Sequence, residues 1–275
     1  MRPCPHSSRN GNRSYSAVLA PLGGITFAGW NPACMDDWFS EIDARCALPA
    51  GAVQKLRDAG FVVIPGPVSP DGLAQLAEAY DSAVLCAASD DVSIGSSTTR
   101  VHDFVNRDPE FDGPYVYAPV LEACCRIIGQ PFKLSTMLAR TVRPYSRAQD
   151  LHVDFKREGD GWPMMGFILM VDEFRTNNGA TRFVPGSHQW PTIPTGDISA
   201  DHEGQVVACG PAGSVIVYNG SVWHGHTANQ VGEPRRSIQG AYIRRDAEPG
   251  INQAARLRPE TRARIGHLEK YVLAV

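Results

Sequence analysis

The sequence predicts a mainly β protein with flanking helices, a sandwich or barrel of jelly-roll type with helices on the outside of one sheet. Three observations lead there. Helix-like stretches come first, between residues 35 and 129, with one compact apolar strand among them. After Gln130 the texture switches to seven or eight short strands in about 115 residues. Between the strands stand "NNGA", "PGSH", "GPAG" and "NGS", whose Gly, Asn and Pro supply turn backbone.

The elements follow in order. The first 16 residues are polar and basic and read as flexible. "MDDWFSEIDAR" (35–45) is expected to form a short helix on the main domain. "PAGAVQKLRDAG" reads as a helix stopped by Gly60, and "FVVIP" (61–65) as an apolar strand. In "SPDGLAQLAEAYDSAVLCA", Ser69 suits a cap, Pro70 the first helical position and Asp71 the helix dipole. Leu73, Leu76, Ala77, Tyr80 and Val84 then share one helical face. A third helix is expected over 118–129, stopped by Gly129. The strands are "KLSTMLARTVR", "LHVDF", "MGFILMV", "TRFVP", "QVVAC", "SVIVYN", "VWHGH" and "SIQGAYIRR". The expected layout is an N-terminal extension (1–47), a catalytic domain (48–247) with its β core at about 131–245, and a helical C-terminal tail (248–275).

Bulk properties narrow the function classes. With 43% hydrophobic and 20% charged residues and a net charge of −3, the chain has an ordinary globular profile and no basic footprint for nucleic acid. No apolar run reaches the roughly 18 residues of a membrane span. Seven cysteines without a C-x-x-C pair argue against a disulfide framework or a thiolate zinc site. The thiols are expected to be mostly buried and reduced, in a cytoplasmic compartment. Arg2, Arg9 and Arg13 before "AVLAPLGGITFAGW" loosely mimic a signal peptide, but Pro21, Gly23 and Gly24 break its apolar core.

The chemistry centres on "LHVDFK" (151–156). On a strand, residues i and i+2 share a face, so His152 and Asp154 point the same way and Val153 the other. Lys156 would share that face near the rim, meeting a negative group of a substrate or lying in solvent. His224, 72 residues later in "VWHGH", completes two histidines and one carboxylate, the facial triad of non-haem Fe(II) oxygenases. His226 would point the same way as His224 and competes with it. Arg235 lies 11 residues after His224, with Ser237 two further on. A hairpin would bring Arg235 back beside the metal, where a guanidinium suits a carboxylate. Arg236 is its natural competitor.

With these pieces in place, residues from about Leu48 to Arg244 resemble the phytanoyl-CoA dioxygenase family of Fe(II)/2-oxoglutarate-dependent oxygenases. The matching pieces are "HVD", "NNGATRFVPGSH", "GSVIVYNGSVWHGHTAN" and "PRRS", with the opening "LRDAGFVVIPGPVSPDGLAQL". The resemblance implies a double-stranded β-helix core of cupin-like type, its N-terminal helices packed on one sheet. It makes His152, Asp154 and His224 the iron ligands. It makes Arg235, helped by Ser237, the binder of the distal carboxylate of 2-oxoglutarate. His226 would touch the co-substrate or support the site from behind. Asp154 argues against a halogenase, which carries a small residue there. The implied reaction uses O2, converts 2-oxoglutarate to succinate and CO2, and oxidises an unactivated C–H bond of a small molecule.

Substrate contacts are expected from Thr136, Met137 and Arg140 on the first long strand, though Thr136 and Met137 cannot both face inward on a regular strand. Lys156 is a further candidate, and Trp162 could cover substrate from the loop "KREGDGWPM" (156–164). "SSTTRVHDFVNRDPEFDG" (96–113) is a second candidate lid. Two other classes stay open. One is a cupin-like metalloenzyme that does not use 2-oxoglutarate, which Arg235 disfavours. The other is a metal-binding barrel without turnover, which the intact triad disfavours. Neither the substrate nor the oligomeric state is readable.

Overall fold

Apolar side chains on alternate residues of long strands divide this chain into layers. The computed structural model describes residues 37–157, 161–190 and 202–275. The N-terminal stretch read as flexible and signal-peptide-like (1–36) and the middle of the 156–164 loop lie outside the described residues.

The helical layer contains α1 (Asp37–Ala44), α2 (Ala52–Ala59), α3 (Leu73–Leu85) and α4 (Ala118–Ile128), with β1 (Phe61–Ile64) between α2 and α3. Gly60 and Gly129 end α2 and α4 at positive φ (85° and 71°), donating their N–H back to Leu56 and Cys125. Ser69 makes no side-chain cap. A 3₁₀ turn over Pro70–Gly72 comes first, and α3 begins only at Leu73.

The strands follow as β2 (Val92–Ile94), β3 (Thr98–Val101), β4 (Phe132–Val142), β5 (Met164–Met170), β6 (Thr181–Phe183), β7 (Val206–Val207), β8 (Val215–Asn219), β9 (His224–His226) and β10 (Arg235–Arg244). They form a seven-stranded antiparallel sheet, β1-β8-β5-β10-β4-β3-β2, and a three-stranded one, β7-β6-β9. Short helices α5 (Gln253–Arg256), α6 (Pro259–Arg264) and α7 (His267–Leu273) close the described chain. This is the jelly-roll core with helices on one sheet that the strand pattern predicts.

Strand alternation sorts the core. Met165, Phe167 and Leu169 of β5 and Val215 and Val217 of β8 pack with Leu56, Leu76, Tyr80 and Leu121 of the helices. The intervening Ile168, Met170, Ile216 and Tyr218 face the small sheet and meet Phe183. Phe61 and Phe183 stack across the two layers, centroids 4.2 Å apart. Truncating a fully buried ring such as Phe167 to alanine would cost about 3–5 kcal/mol.

Several local expectations give way. Residues 96–113 are not a polar lid. They supply β3, which pairs with β4, and then tight 3₁₀ turns whose Phe104 and Phe111 are fully buried. Arg235 does not return on a hairpin, because β9 belongs to the small sheet and β10 pairs with β4 and β5 of the large one. The connection therefore crosses between sheets. Of the described cysteines, Cys124 and Cys125 are buried free thiols, Cys46 and Cys209 are exposed free thiols, and Cys86 is disulfide-bonded. The four free thiols fit the expectation of mostly reduced cysteines, and the two exposed ones depart from that of burial. Among the described residues no helix is long and apolar enough to cross a membrane.

Candidate metal centre

Backbone pairing places the first histidine. His152 and His224 form an antiparallel bridge and exchange both N–H···O bonds at 2.9 Å. Leu151 and Val153 pack on Trp223 and Val184, so His152 and Asp154 turn to the opposite side. The segment is a bridge rather than a full strand. At Asp154 it bends, and the N–H groups of Asp154 and Phe155 both donate to the Gly220 carbonyl, at 2.9 and 3.0 Å.

His152, Asp154 and His224 present donor atoms all within 4.8 Å of one another. Asp154 Oδ1 lies 3.7 Å from His152 Nε2, and Oδ2 lies 3.5 Å from His224 Nε2. Metal–ligand bonds of about 2.0–2.2 Å at right angles need donors about 3 Å apart, a small inward adjustment. The far ring nitrogens face carbonyl oxygens: His152 Nδ1 faces Asp150 O at 3.2 Å and His224 Nδ1 faces Val222 O at 2.9 Å. A carbonyl only accepts, so each Nδ1 carries the proton and each Nε2 lone pair points at the site.

Charge states agree with this geometry. Burial, then the neighbouring His224, pushes His152 down to about 4, so it is neutral at ordinary pH. Burial works to raise Asp154, but His224 and the Tyr218 hydroxyl outweigh it and hold the carboxyl below its usual value. A neutral imidazole at His152 and an ionised carboxylate at Asp154 are forms a metal takes.

Arg235 is fully buried beside this cluster. Its Nε and Nη2 donate to the Gly179 carbonyl at 3.1 and 2.8 Å, and its Nη1 donates to Ser237 Oγ at 2.9 Å. Its guanidinium lies 4.2 Å from the Phe174 ring centre. Gly179 sits at φ 81°, which turns its carbonyl toward the arginine. No carboxylate lies within ion-pair distance of Arg235 among the described residues. Burial, then the Arg140 cation, pushes its pKa down to about 9. Arg236, the competitor, is spoken for: Asp172 and Asp81 hold it, each at 2.7 Å.

A narrow cavity brings together Asp154, His224, His226 and Arg235, with Arg140, Gln149, Tyr218 and Gln239 on its wall. His226 is buried. Its Nδ1 faces the Thr227 carbonyl at 2.8 Å and its Nε2 accepts from Ser97 Oγ at 2.9 Å, so it stands beside the triad rather than in it. A larger cavity of about 470 Å³ opens on His152 and Asp154 and is lined by Thr136, Leu138, Arg140 and Phe155, among others.

Thr136 and Arg140 thus reach the expected wall. Met137 does not. It is fully buried against the helices, because a bulge at Ser135 sets the register so that Thr136, Leu138 and Arg140 face the cavity. Lys156 is exposed and lines neither of these two cavities, since the bend at Asp154 ends the alternation and turns Phe155 inward instead. Trp162 packs on His188 (centroids 5.0 Å) under Arg157 rather than over the cavity.

Sequence reasoning missed Tyr218, Gln149, Gln239 and Arg100. Gln239 was within reach, as the next same-face residue after Arg235 and Ser237. Arg100 was not, since its strand carries no readable signal.

Comparison with known proteins places this arrangement. The model of the family described as phytanoyl-CoA dioxygenase (PhyH) matches residues 56–237. The "Multifunctional dioxygenase prhA" of Penicillium brasilianum is 29% identical over 213 residues, covering 69% of this chain and 70% of that protein. Among solved structures, HygX from Streptomyces hygroscopicus with nickel and 2-oxoglutarate bound aligns with a TM-score of 0.61 at 16% identity, over 74% of this chain and 89% of that one. EctD from S. alaskensis in its apoform aligns at 0.62 and 17%, over 81% and 82%. At such identity the structures speak for the fold, and the family match carries the chemistry. The chain belongs to the phytanoyl-CoA dioxygenase family and is an Fe(II)- and 2-oxoglutarate-dependent dioxygenase.

Proposed function

We propose that His152, Asp154 and His224 hold the iron, that Arg235 with Ser237 holds the distal carboxylate of 2-oxoglutarate, and that the enzyme oxidises an unactivated C–H bond of a small molecule, releasing succinate and CO2. The carrying observation is Arg235, a fully buried cation without a carboxylate in reach among the described residues. Burying a charge unpaired costs several kcal/mol, so the site has a standing demand for an anion. The narrow cavity joins that arginine to the triad, which is the span a 2-oxo diacid bridges. A cupin-like enzyme without this co-substrate would leave Arg235 unexplained.

Bound iron supplies oxygen activation, and the protein positions the bond to be oxidised. Around it, His152 and His224 would offer Nε2 while their Nδ1–H groups donate to the Asp150 and Val222 carbonyls. Tyr218 holds one Asp154 oxygen by a 2.7 Å hydrogen bond. The larger cavity is the substrate chamber, with Thr136, Leu138 and Phe155 on its wall.

Anaerobic addition of Fe(II) and 2-oxoglutarate tests the reading. A visible metal-to-ligand charge-transfer band is expected, and its absence at saturating concentrations would overturn it. A succinate-release screen against a metabolite panel then finds the substrate, because it reports coupled turnover whatever the product.

A further inference from the structure

One wall of the larger cavity does not belong to the β core. β10 ends at Arg244, and the chain then runs along the cavity, where Glu248, Pro249 and Gly250 line it. Two hydrogen bonds hold this strap to β4. Gly250 N–H donates to Ser135 Oγ at 2.8 Å, and Ile251 N–H donates to the Ser135 carbonyl at 3.0 Å. Contact there is close. A Cβ at Gly250 would come within 2.8 Å of Thr136 Cγ2, so the strap lies on β4 as near as a glycine allows. The cavity's lining is mixed, with Leu138, Phe155 and Ile243 beside Ser135, Thr136 and Gln239. Polarity therefore favours no one substrate class, and the position of the strap decides what size enters.

The far end of the strap is gripped by a residue from a distant part of the chain. Asn106 ends the 3₁₀ turn Phe104–Asn106 and is buried. Its Nδ2 donates to the Arg256 carbonyl at 3.0 Å, and its Oδ1 accepts from the Arg258 N–H at 3.0 Å. The second Nδ2 hydrogen goes to Asp103 Oδ1 at 2.8 Å. A flipped amide would set its oxygen against two acceptors, so this orientation is fixed. Asn106 thus holds the backbone on both sides of Leu257, which packs on the main core. The short helix α5 joins this grip to the strap, capped by Asn252, whose Oδ1 accepts from Ala255 N–H at 3.1 Å.

Ion pairs flank the grip, Asp91 with Arg256 at 3.0 Å and Asp103 with Arg258 at 3.6 Å. Both arginines are half-exposed, and pairs of that kind contribute little. The buried amide is the stronger hold. Farther on, Arg264 ties α6 to Asp112 at 2.7 Å and to the Val105 carbonyl at 2.9 Å. That tie steadies the same tail but lies beyond the strap, and neither Arg264 nor Asp112 lines the cavity.

We propose that the 248–251 strap is the size filter of the substrate chamber, and that Asn106 is the positioning residue that keeps it closed on β4. The inference rests on the reading of this cavity as the substrate chamber. Asn106 touches no reacting atom. It acts through the 252–258 backbone, whose place sets where Glu248, Pro249 and Gly250 stand.

Chemical labelling inside the cavity tests it without a known substrate. Leu138→Cys puts a thiol on the cavity wall of the full-length protein, loaded with Mn(II) and 2-oxoglutarate. Peptide mass spectrometry follows its reaction with N-ethylmaleimide and with the bulkier fluorescein-5-maleimide. The exposed thiols of Cys46 and Cys209 report each reagent's free rate in the same sample. Against that reference, the bulky reagent is expected to label position 138 more slowly than the small one. Adding Asn106→Ala is expected to raise the bulky rate about tenfold, the weight of one or two buried hydrogen bonds, and the small-reagent rate by less than about threefold. Arg264→Gln is expected to lower the melting temperature and leave both rates at position 138 in place, which separates the filter from a general loosening of the tail. Gly250→Ala, whose new methyl group meets Thr136, is expected to raise the bulky rate as well. It stands in if near-ultraviolet circular dichroism shows that Asn106→Ala does not fold.

An unchanged bulky rate in folded Asn106→Ala overturns the proposal, and where that variant does not fold, an unchanged rate in Gly250→Ala does so. An Arg264→Gln protein whose bulky rate rises as much overturns it too. No labelling of position 138 by either reagent would overturn the reading of the cavity as the substrate chamber, and the proposal with it. The small reagent tells the two failures apart.

Discussion

Tyr218 Oη donates to Asp154 Oδ2 at 2.7 Å, and that same oxygen faces His224 Nε2 at 3.5 Å. Burial, then the Asp154 charge, holds the phenol well above its ordinary pKa, so it stays a donor. The bond fixes how the carboxylate presents itself to a metal, and such outer contacts are worth about 10–100-fold in metal affinity. Tyr218→Phe is therefore expected to weaken Mn(II) binding by about tenfold, read by titration in the absence of substrate. Unchanged affinity would mean that the backbone bonds at Asp154 orient the carboxylate alone.

Arg235 and Arg236 are neighbours with opposite energetics. Arg236 is held by two aspartates and belongs to the fold. Arg235 is buried with no carboxylate in ion-pair distance among the described residues, and is the proposed seat of the co-substrate's distal carboxylate. Arg235→Gln is expected to weaken 2-oxoglutarate binding by about tenfold to a hundredfold and to abolish the rise in melting temperature that the co-substrate gives. Arg236→Gln is expected to lower the melting temperature while leaving the co-substrate shift in place. Thermal melts with and without 2-oxoglutarate distinguish the two, and an Arg236→Gln protein that lost the shift would reverse the assignment.

What was legible in the sequence was what local spacing encodes. H-x-D fixes two side chains on one side of a short extended segment, and the Gly stops of α2 and α4 follow from positive φ. What was not legible depends on partners far away in the chain. The bulge at Ser135 exists because β10 and the 250–251 backbone engage it: Gly250 N–H donates to Ser135 Oγ at 2.8 Å and Ile251 N–H to its carbonyl at 3.0 Å. Without that bulge in view, Thr136 and Met137 could not be sorted. Lys156 was misplaced for a similar reason, because one acceptor on Gly220 bends the chain at Asp154. Arg100 needed β3, whose pairing with β4 has no signature of its own.

His226 lies two residues from His224 on β9, yet its ring is fully engaged elsewhere. Its Nδ1–H donates to the Thr227 carbonyl and Ser97 donates to Nε2, leaving no lone pair for a metal. His224→Ala is expected to abolish Mn(II) binding, and His226→Ala to retain it within about threefold, since it removes a support and not a ligand. Electron paramagnetic resonance of free Mn(II) against protein concentration reads both. Equal losses would make His226 part of the metal set.

Gly166 of β5 stands opposite Tyr218 of β8 in register, and a Cβ there would overlap the Tyr218 ring. The glycine is thus the seat on which the ring lies while its hydroxyl reaches Asp154. Gly240 of β10 has a similar relation to the Phe167 ring, which faces away from the metal into the helical layer. Gly166→Ala and Gly240→Ala are both expected to cost about 1–3 kcal/mol by overpacking. Only Gly166→Ala displaces the tyrosine, so only it is expected to lower Mn(II) affinity, in the same direction as Tyr218→Phe. The double variant Gly166→Ala/Tyr218→Phe should then bind Mn(II) little worse than Tyr218→Phe alone, because the lost interaction is the same one. Additive losses in that cycle would show that Gly166 acts on the triad by a route other than the tyrosine.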